Sequence, residues 1–145
     1  MEKHAGMPVN DPVMQKEIND DLLTDTLERQ LYGEKRENDE EYRLSVARHE
    51  AGHAYVGYKT GRKPKFITIV SRGNFGGYVS YGDGEDVHNL TQEDFLNYIC
   101  QMLSGRAAEI VYYGERGINT GAGSDLEKAT KYAIKMICHF GMGSM

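Results

Sequence analysis

His49-Glu50-Ala51-Gly52-His53 is an H-E-x-x-H segment inside a stretch that reads as a helix. Four residues advance a helix by roughly one turn, so the two imidazoles stack on one face with their ring nitrogens close enough to share a metal ion. Glu50 follows the first of them directly, which carries its carboxylate toward water at such an ion, where a general base for hydrolysis belongs. The chemistry this suggests is zinc-dependent peptide hydrolysis, with Zn2+ on His49 and His53 and Glu50 as the catalytic base. Two histidines on a helix can equally be satisfied structural side chains, so the reading turns on a third ligand.

Asp125 is the candidate for that ligand. It stands at the start of the last helix expected in the chain, where unpaired backbone N–H groups and the positive end of the dipole favour the ionised carboxylate. A carboxylate oxygen with two neutral imidazole nitrogens suits Zn2+ and leaves a fourth position for water, the pattern of a catalytic rather than a structural site. The competing reading is that Asp125 merely caps its helix, and sequence position alone leaves the two open.

The elements that must position these residues follow from periodicity and punctuation. Residues 1–10 read as a disordered leader, and residues 11–39 as a helical appendage with a charged linker. Asp11-Pro12 can open a helix carrying Ile18, Leu22, Leu23, Leu27 and Leu31, which stops near Gly33. The run from Glu34 to Glu41 is almost wholly charged and reads as a solvated connection. A second helix over residues 40–60 carries the H-E-x-x-H segment and ends at Gly61. Residues 66–70 and 78–81, rich in β-branched and aromatic side chains around a glycine-containing turn, predict a β-hairpin. After a polar loop from Gly82 to Asn89, Thr91 with Asp94 starts a helix that Gly114 closes. Ser124 and Glu127 form an S-x-x-E capping box for the last helix, which Gly141 ends. The fold class expected is α+β: a mainly helical, zincin-like domain over residues 40–145, with the H-E-x-x-H helix packed on a small hairpin or sheet.

Composition removes several alternatives. At 145 residues the chain can bury a core without a structural metal or disulfides. Its 22 acidic against 17 basic residues give a formal charge of −5, which does not suit nucleic acid as a partner. The basic stretch from Lys59 to Lys65 follows a helix end, where cations complement the dipole and stay solvated. Cys100 and Cys138 sit among apolar residues at helical spacing and read as buried thiols. No apolar run resembles a signal peptide or approaches the roughly 20 residues that span a bilayer, so a cytoplasmic location is the expectation. No phosphate-cradling G-x-x-x-x-G-K-[ST] segment is visible.

Four ordered segments then carry a family resemblance. Ser45-Val46-Ala47-Arg48-His49-Glu50-Ala51-Gly52-His53-Ala54 resembles the metal helix of the FtsH family of membrane-anchored, ATP-dependent zinc proteases, and the segment from Phe66 to Gly73 with Gly77-Tyr78 resembles its hairpin. Gly105-Arg106-Ala107-Ala108-Glu109 resembles its GRAAE helix, and Thr120-Gly121-Ala122-Gly123-Ser124-Asp125-Leu126 its T-G-A-x-x-D segment. The resemblance covers about residues 41–143. It implies that Asp125 is the third zinc ligand, and that the substrate is unfolded or extended polypeptide. The family's ATPase module has no counterpart in these 145 residues, so a separate ATPase partner is expected to do the unfolding. A second reading is a catalytically silent, peptidase-like module that binds metal or peptide beside such a partner. Arg48 stands where the family more usually has tyrosine, and Ser124 where it usually has asparagine. Glu109 is a candidate partner for a ligating histidine, against the ordinary reading of a solvated acid on a helix rim.

Overall fold

The computed structural model describes residues 20–82 and 89–143. The expected leader, the helix opening at Asp11-Pro12 with Ile18, and positions 83–88 of the polar loop lie outside the described residues.

Helix α1, Asp20–Tyr32, has two aspartates in its first turn and Arg29 in its last, each complementing the dipole, and Gly33 at φ +95° stops it. Its leucine stripe is exposed, with Leu27 at 53% and Leu31 at 71%, and the residue α1 buries is Glu28. The charged run behind it is not a free connection. Arg36 N–H donates to the Ser71 carbonyl (2.8 Å), and Gly73 N–H donates to that of Glu34 (3.2 Å). The run satisfies its backbone against the hairpin turn, a partner that charge alone does not announce.

Helix α2, Glu40–Lys59, is capped by Asp39, whose carboxylate accepts from Tyr42 N–H (2.7 Å), and Gly61 at φ +88° ends it. Strands β1, Phe66–Thr68, and β2, Tyr78–Ser80, form the expected antiparallel hairpin, pairing Phe66 with Ser80 and Thr68 with Tyr78. They are shorter than expected because the Thr68 hydroxyl takes the Val70 N–H (3.1 Å), diverting it from the ladder. Helix α3, Gln92–Tyr113, starts with the expected reciprocal cap between Thr91 and Asp94 and stops at Gly114.

Single 3-10 turns at Glu115–Gly117 and Thr120–Ala122 lead into α4, Gly123–Ile134. The expected Ser124 cap is not used. Asn119 anchors the second turn through Gly121 N–H (2.7 Å), and that turn runs straight into the helix, so Ser124 is already helical. The helix continues as a π turn over Lys135–His139 that buries Met136, and Phe140 meets Phe95 (ring centroids 5.4 Å apart).

The layers are α2 on α3 and α3 on α4, with the hairpin beside α2. The apolar core is thin, formed by Ala54, Phe95, Ala122, Ala129 and Met136. Small residues let the helices approach. A Cβ on Gly52 would lie 2.5 Å from the Ser104 carbonyl oxygen and 2.8 Å from Ala108 Cβ. Both cysteines are exposed rather than buried, since each turns away from the faces that α3 and the π turn pack inward. Among the described residues, no helix is long and apolar enough to cross a membrane.

Candidate metal centre

Helix α2 delivers both histidines to the seam with α3, and the first turn of α4 brings Asp125 from the opposite side. His49 Nε2 lies 3.0 Å from His53 Nε2, and Asp125 Oδ2 lies 3.1 Å from the first and 3.3 Å from the second. Among the described residues these three are the group of metal-ligating side chains that meet.

The other ring nitrogens explain why the Nε2 atoms are free to converge. His49 Nδ1–H donates to Glu109 Oε1 (2.8 Å), and His53 Nδ1–H donates to the Gln101 carbonyl (2.7 Å). With each imidazole fixed in that tautomer, both Nε2 atoms carry lone pairs. Two lone pairs and a carboxylate facing one another within 3.3 Å repel unless a cation stands among them. Tetrahedral Zn2+ with bonds of about 2.0–2.1 Å requires ligand atoms about 3.3 Å apart, so the donor set and its spacing fit zinc.

With no metal bound, a proton on an Nε2 atom answers the same demand for a cation. Burial would raise the Asp125 carboxyl, but hydrogen bonds with His49 and His53 outweigh it and hold the group far below the usual carboxylate range. Burial would lower the His49 imidazole, but the Asp125 and Glu109 carboxylates outweigh it and raise it above its ordinary value. Glu50 is buried beside them at 7% exposure. Desolvation raises its carboxyl, against the opposing pull of the two histidines.

Glu109 lies behind His49 rather than in solvent. At 3% exposure it is no rim acid: one oxygen takes His49 and the other accepts from Arg106 Nη1 (2.7 Å), whose Nη2 donates to the Asn119 carbonyl. Arg106 thereby ties the acid behind the first histidine to the loop that delivers Asp125. Gly105 is the residue sequence reasoning missed. A Cβ there would collide with the His49 ring and sit 2.6 Å from His53 Nε2, so α3 can pass beneath the imidazoles only at a glycine. A glycine in mid-helix, costly to helix stability, was the available signal.

The three converging groups and Glu50 open onto a cleft of about 570 Å³, whose far wall is Gly76, Gly77, Tyr78 and Val79 of the hairpin. Gly77 is tight against this wall: a Cβ there would lie 2.9 Å from Val46 and 3.2 Å from Glu50 Cγ. The Tyr81 hydroxyl donates to the His53 carbonyl (2.8 Å) and holds the second histidine's backbone. Arg62, expected in a solvated patch, is half-buried between the rings of Tyr81 (4.5 Å) and Tyr98 (5.0 Å) and donates to Gln101 (2.9 Å). Arg48 lies over Tyr112 and Tyr113 and donates to the Tyr113 hydroxyl (2.8 Å), a packing role between α2 and the end of α3.

The sequence model of Peptidase family M41 matches residues 36–145. The chain is 42% identical over 128 residues to the ATP-dependent zinc metalloprotease FtsH of Mesomycoplasma conjunctivae, covering 85% of this chain and 17% of that protein. It is 45% identical over 103 residues to the FtsH of Mycoplasmopsis pulmonis, covering 70% of this chain and 14% of the relative. With the ATP-dependent zinc metalloprotease FtsH 2 of Thermoanaerobacter it shares 39% identity over 135 residues, 88% of this chain and 26% of the relative. The chain thus spans roughly a quarter or less of the length of these curated relatives. By sequence match over most of its length, the chain belongs to peptidase family M41, and the relatives it resembles are zinc metalloproteases.

Proposed function

We propose that the chain is the hydrolytic part of a zinc metalloendopeptidase acting on unfolded or extended polypeptide. The observation that carries the reading is the convergence of His49 Nε2, His53 Nε2 and Asp125 Oδ2 within 3.3 Å, beside a buried glutamate in an open cleft. His49, His53 and Asp125 hold the ion. The chemistry Zn2+ supplies when bound is Lewis acidity, which polarises a peptide carbonyl and makes water acidic enough to react near neutral pH.

The rest belongs to the chain's own groups. Glu50 accepts a proton from the attacking water and passes it to the departing amide nitrogen. A carboxyl raised by burial suits a group that must hold a proton for part of each cycle. Glu109 and the Gln101 carbonyl keep the two imidazoles in the tautomer that presents Nε2. The sheet has two strands, so β2 has an outer edge, and residues 76–79 line the cleft. An extended peptide added along that edge has its backbone fixed by hydrogen bonds, whatever its side chains, which fits a protease of broad substrate choice. Supply of unfolded chain falls to an ATPase, in keeping with the relatives' description as ATP-dependent.

The test is zinc analysis beside hydrolysis of an unfolded peptide. The expected result is about one zinc per chain, with cleavage by the wild type and a rate lower by on the order of 10²–10⁴ in Glu50→Gln, which keeps its metal. A zinc-loaded wild type that binds the peptide and leaves it intact supports the silent-module reading instead.

A further inference from the structure

Away from the candidate metal centre, the most heavily buried charge among the described residues is Arg72, at 3% exposure, in the turn between β1 and β2. Its Nε donates to Glu28 Oε2 (3.1 Å), its Nη2 to Asp25 Oδ1 (2.5 Å) and its Nη1 to the Gly33 carbonyl (3.4 Å). Lys35 shares Asp25 (2.5 Å), so two cations face two acids. The second oxygen of Glu28, Oε1, accepts from the Tyr78 hydroxyl (3.0 Å). One carboxylate on α1 therefore fastens both ends of the segment 72–78, and Tyr32 packs against Phe75 (5.3 Å) and Tyr78 (5.0 Å) between them.

Replacing a buried ion pair by apolar side chains of similar volume is often neutral or stabilising, so such a pair contributes direction more readily than stability. Here the direction is toward the cleft. Gly76, Gly77 and Tyr78 are both the end of the fastened segment and the wall facing the metal centre. Gly77 stands against Glu50 with no room for a methyl group. A shift of the segment by an ångström would move the strand edge relative to the base. Glu28 and Asp25 lie before residue 36, where the match to the family begins.

We infer that α1 is a substrate-positioning element, in which Glu28, acting through Arg72 and Tyr78, holds the outer edge of β2 at the cleft for an incoming extended peptide. Glu28 is a positioning residue: it touches no ligand of the metal and no reacting atom. The inference rests on the reading of β2 as the substrate edge.

The experiment compares the zinc-loaded wild-type chain with Glu28→Gln and Tyr78→Phe on one unfolded peptide, together with hydrogen exchange of the backbone amides. Glu28→Gln is expected to raise KM about tenfold, the size of one charge-assisted hydrogen bond, with kcat and zinc content unchanged. Tyr78→Phe, which removes one tie of the two, raises KM less. Amides of residues 66–80 exchange faster in Glu28→Gln, while those of α2 and α3 keep wild-type rates. An unchanged KM with unchanged hairpin exchange overturns the inference and leaves the metalloprotease reading standing. A fall of kcat and zinc together with the rise in KM also overturns it, since that is the mark of a general structural role. A wild type that holds no zinc and cleaves nothing overturns the metalloprotease reading, and the inference falls with it.

Discussion

The seam between α2, α3 and α4 and the clamp between α1 and the hairpin both bury charged side chains, and they do so to opposite ends. At the seam, two imidazoles and a carboxylate turn their acceptor atoms toward one another, and the surrounding hydrogen bonds leave a net demand for a cation. At the clamp, Arg72 and Lys35 already answer Asp25 and Glu28, and nothing further is demanded. A site that binds is one whose charges are left open by their neighbours; a joint that positions is one whose charges are closed. The distinction separates the expected effects of substitution. Seam variants should change metal content, and clamp variants should change the fit of the substrate.

The largest expected effect is at Glu50. Glu50→Gln should lower kcat on an unfolded peptide by on the order of 10²–10⁴, with zinc content intact, as measured by steady-state cleavage and metal analysis. Next comes Gly105→Ala, which presses a methyl group into both imidazoles. Overpacking of this kind costs about 1–3 kcal/mol, and both the melting temperature of the metal-free protein and the zinc content should fall. If Gly105→Ala binds zinc as the wild type does, the seam is looser than its geometry states.

Glu109→Ala should weaken zinc about 10–100-fold in a chelator competition by releasing His49 from its orientation, and it leaves the clamp untouched. The pH dependence sharpens the same contrast. Because the folded pKa of His49 is raised, protonation stabilises the metal-free fold below the ordinary histidine value of 6.5, and that contribution is lost as the pH rises through the raised pKa. Protons compete with zinc over that window, so zinc affinity should climb with pH while the stability of the metal-free protein declines. At the clamp, burial and the bond to Glu28 push the Tyr78 phenol up to about 12. Its contribution, present below pH 10, should be lost between about pH 10 and 12, as seen by comparing unfolding of the wild type with Tyr78→Phe. The smallest effect belongs to Arg48→Ala, which removes a guanidinium stacked on Tyr112 and Tyr113. It should cost about 1 kcal/mol of stability and no zinc.

The seam was legible in the sequence and the clamp was not, for physical reasons. Histidines four apart with an intervening glutamate are rare and meaningful on a helix, and Asp125 followed once the ordered segments suggested the family. Thr91, Gly33, Gly61 and Gly114 likewise do locally what their types announce, capping or stopping helices at the expected places. Glu28 and Arg72 carry no such signal. Glutamate and arginine are ordinary surface residues, their partners lie 44 positions apart, and their burial is decided by the return of the chain rather than by local pattern. The same cause misplaced Arg62 as a solvated cation and the two cysteines as buried thiols. The Ser124 cap failed differently: Asn119, five residues earlier, had already organised the backbone that a capping serine would have served.

The most direct test of the account is zinc stoichiometry in the wild type and in His49→Ala, His53→Ala and Asp125→Ala, measured on protein shown to be folded. The account predicts about one zinc per chain in the wild type and a large loss in each of the three variants. Full zinc retention by folded Asp125→Ala, or a folded wild type that takes up none, would contradict it.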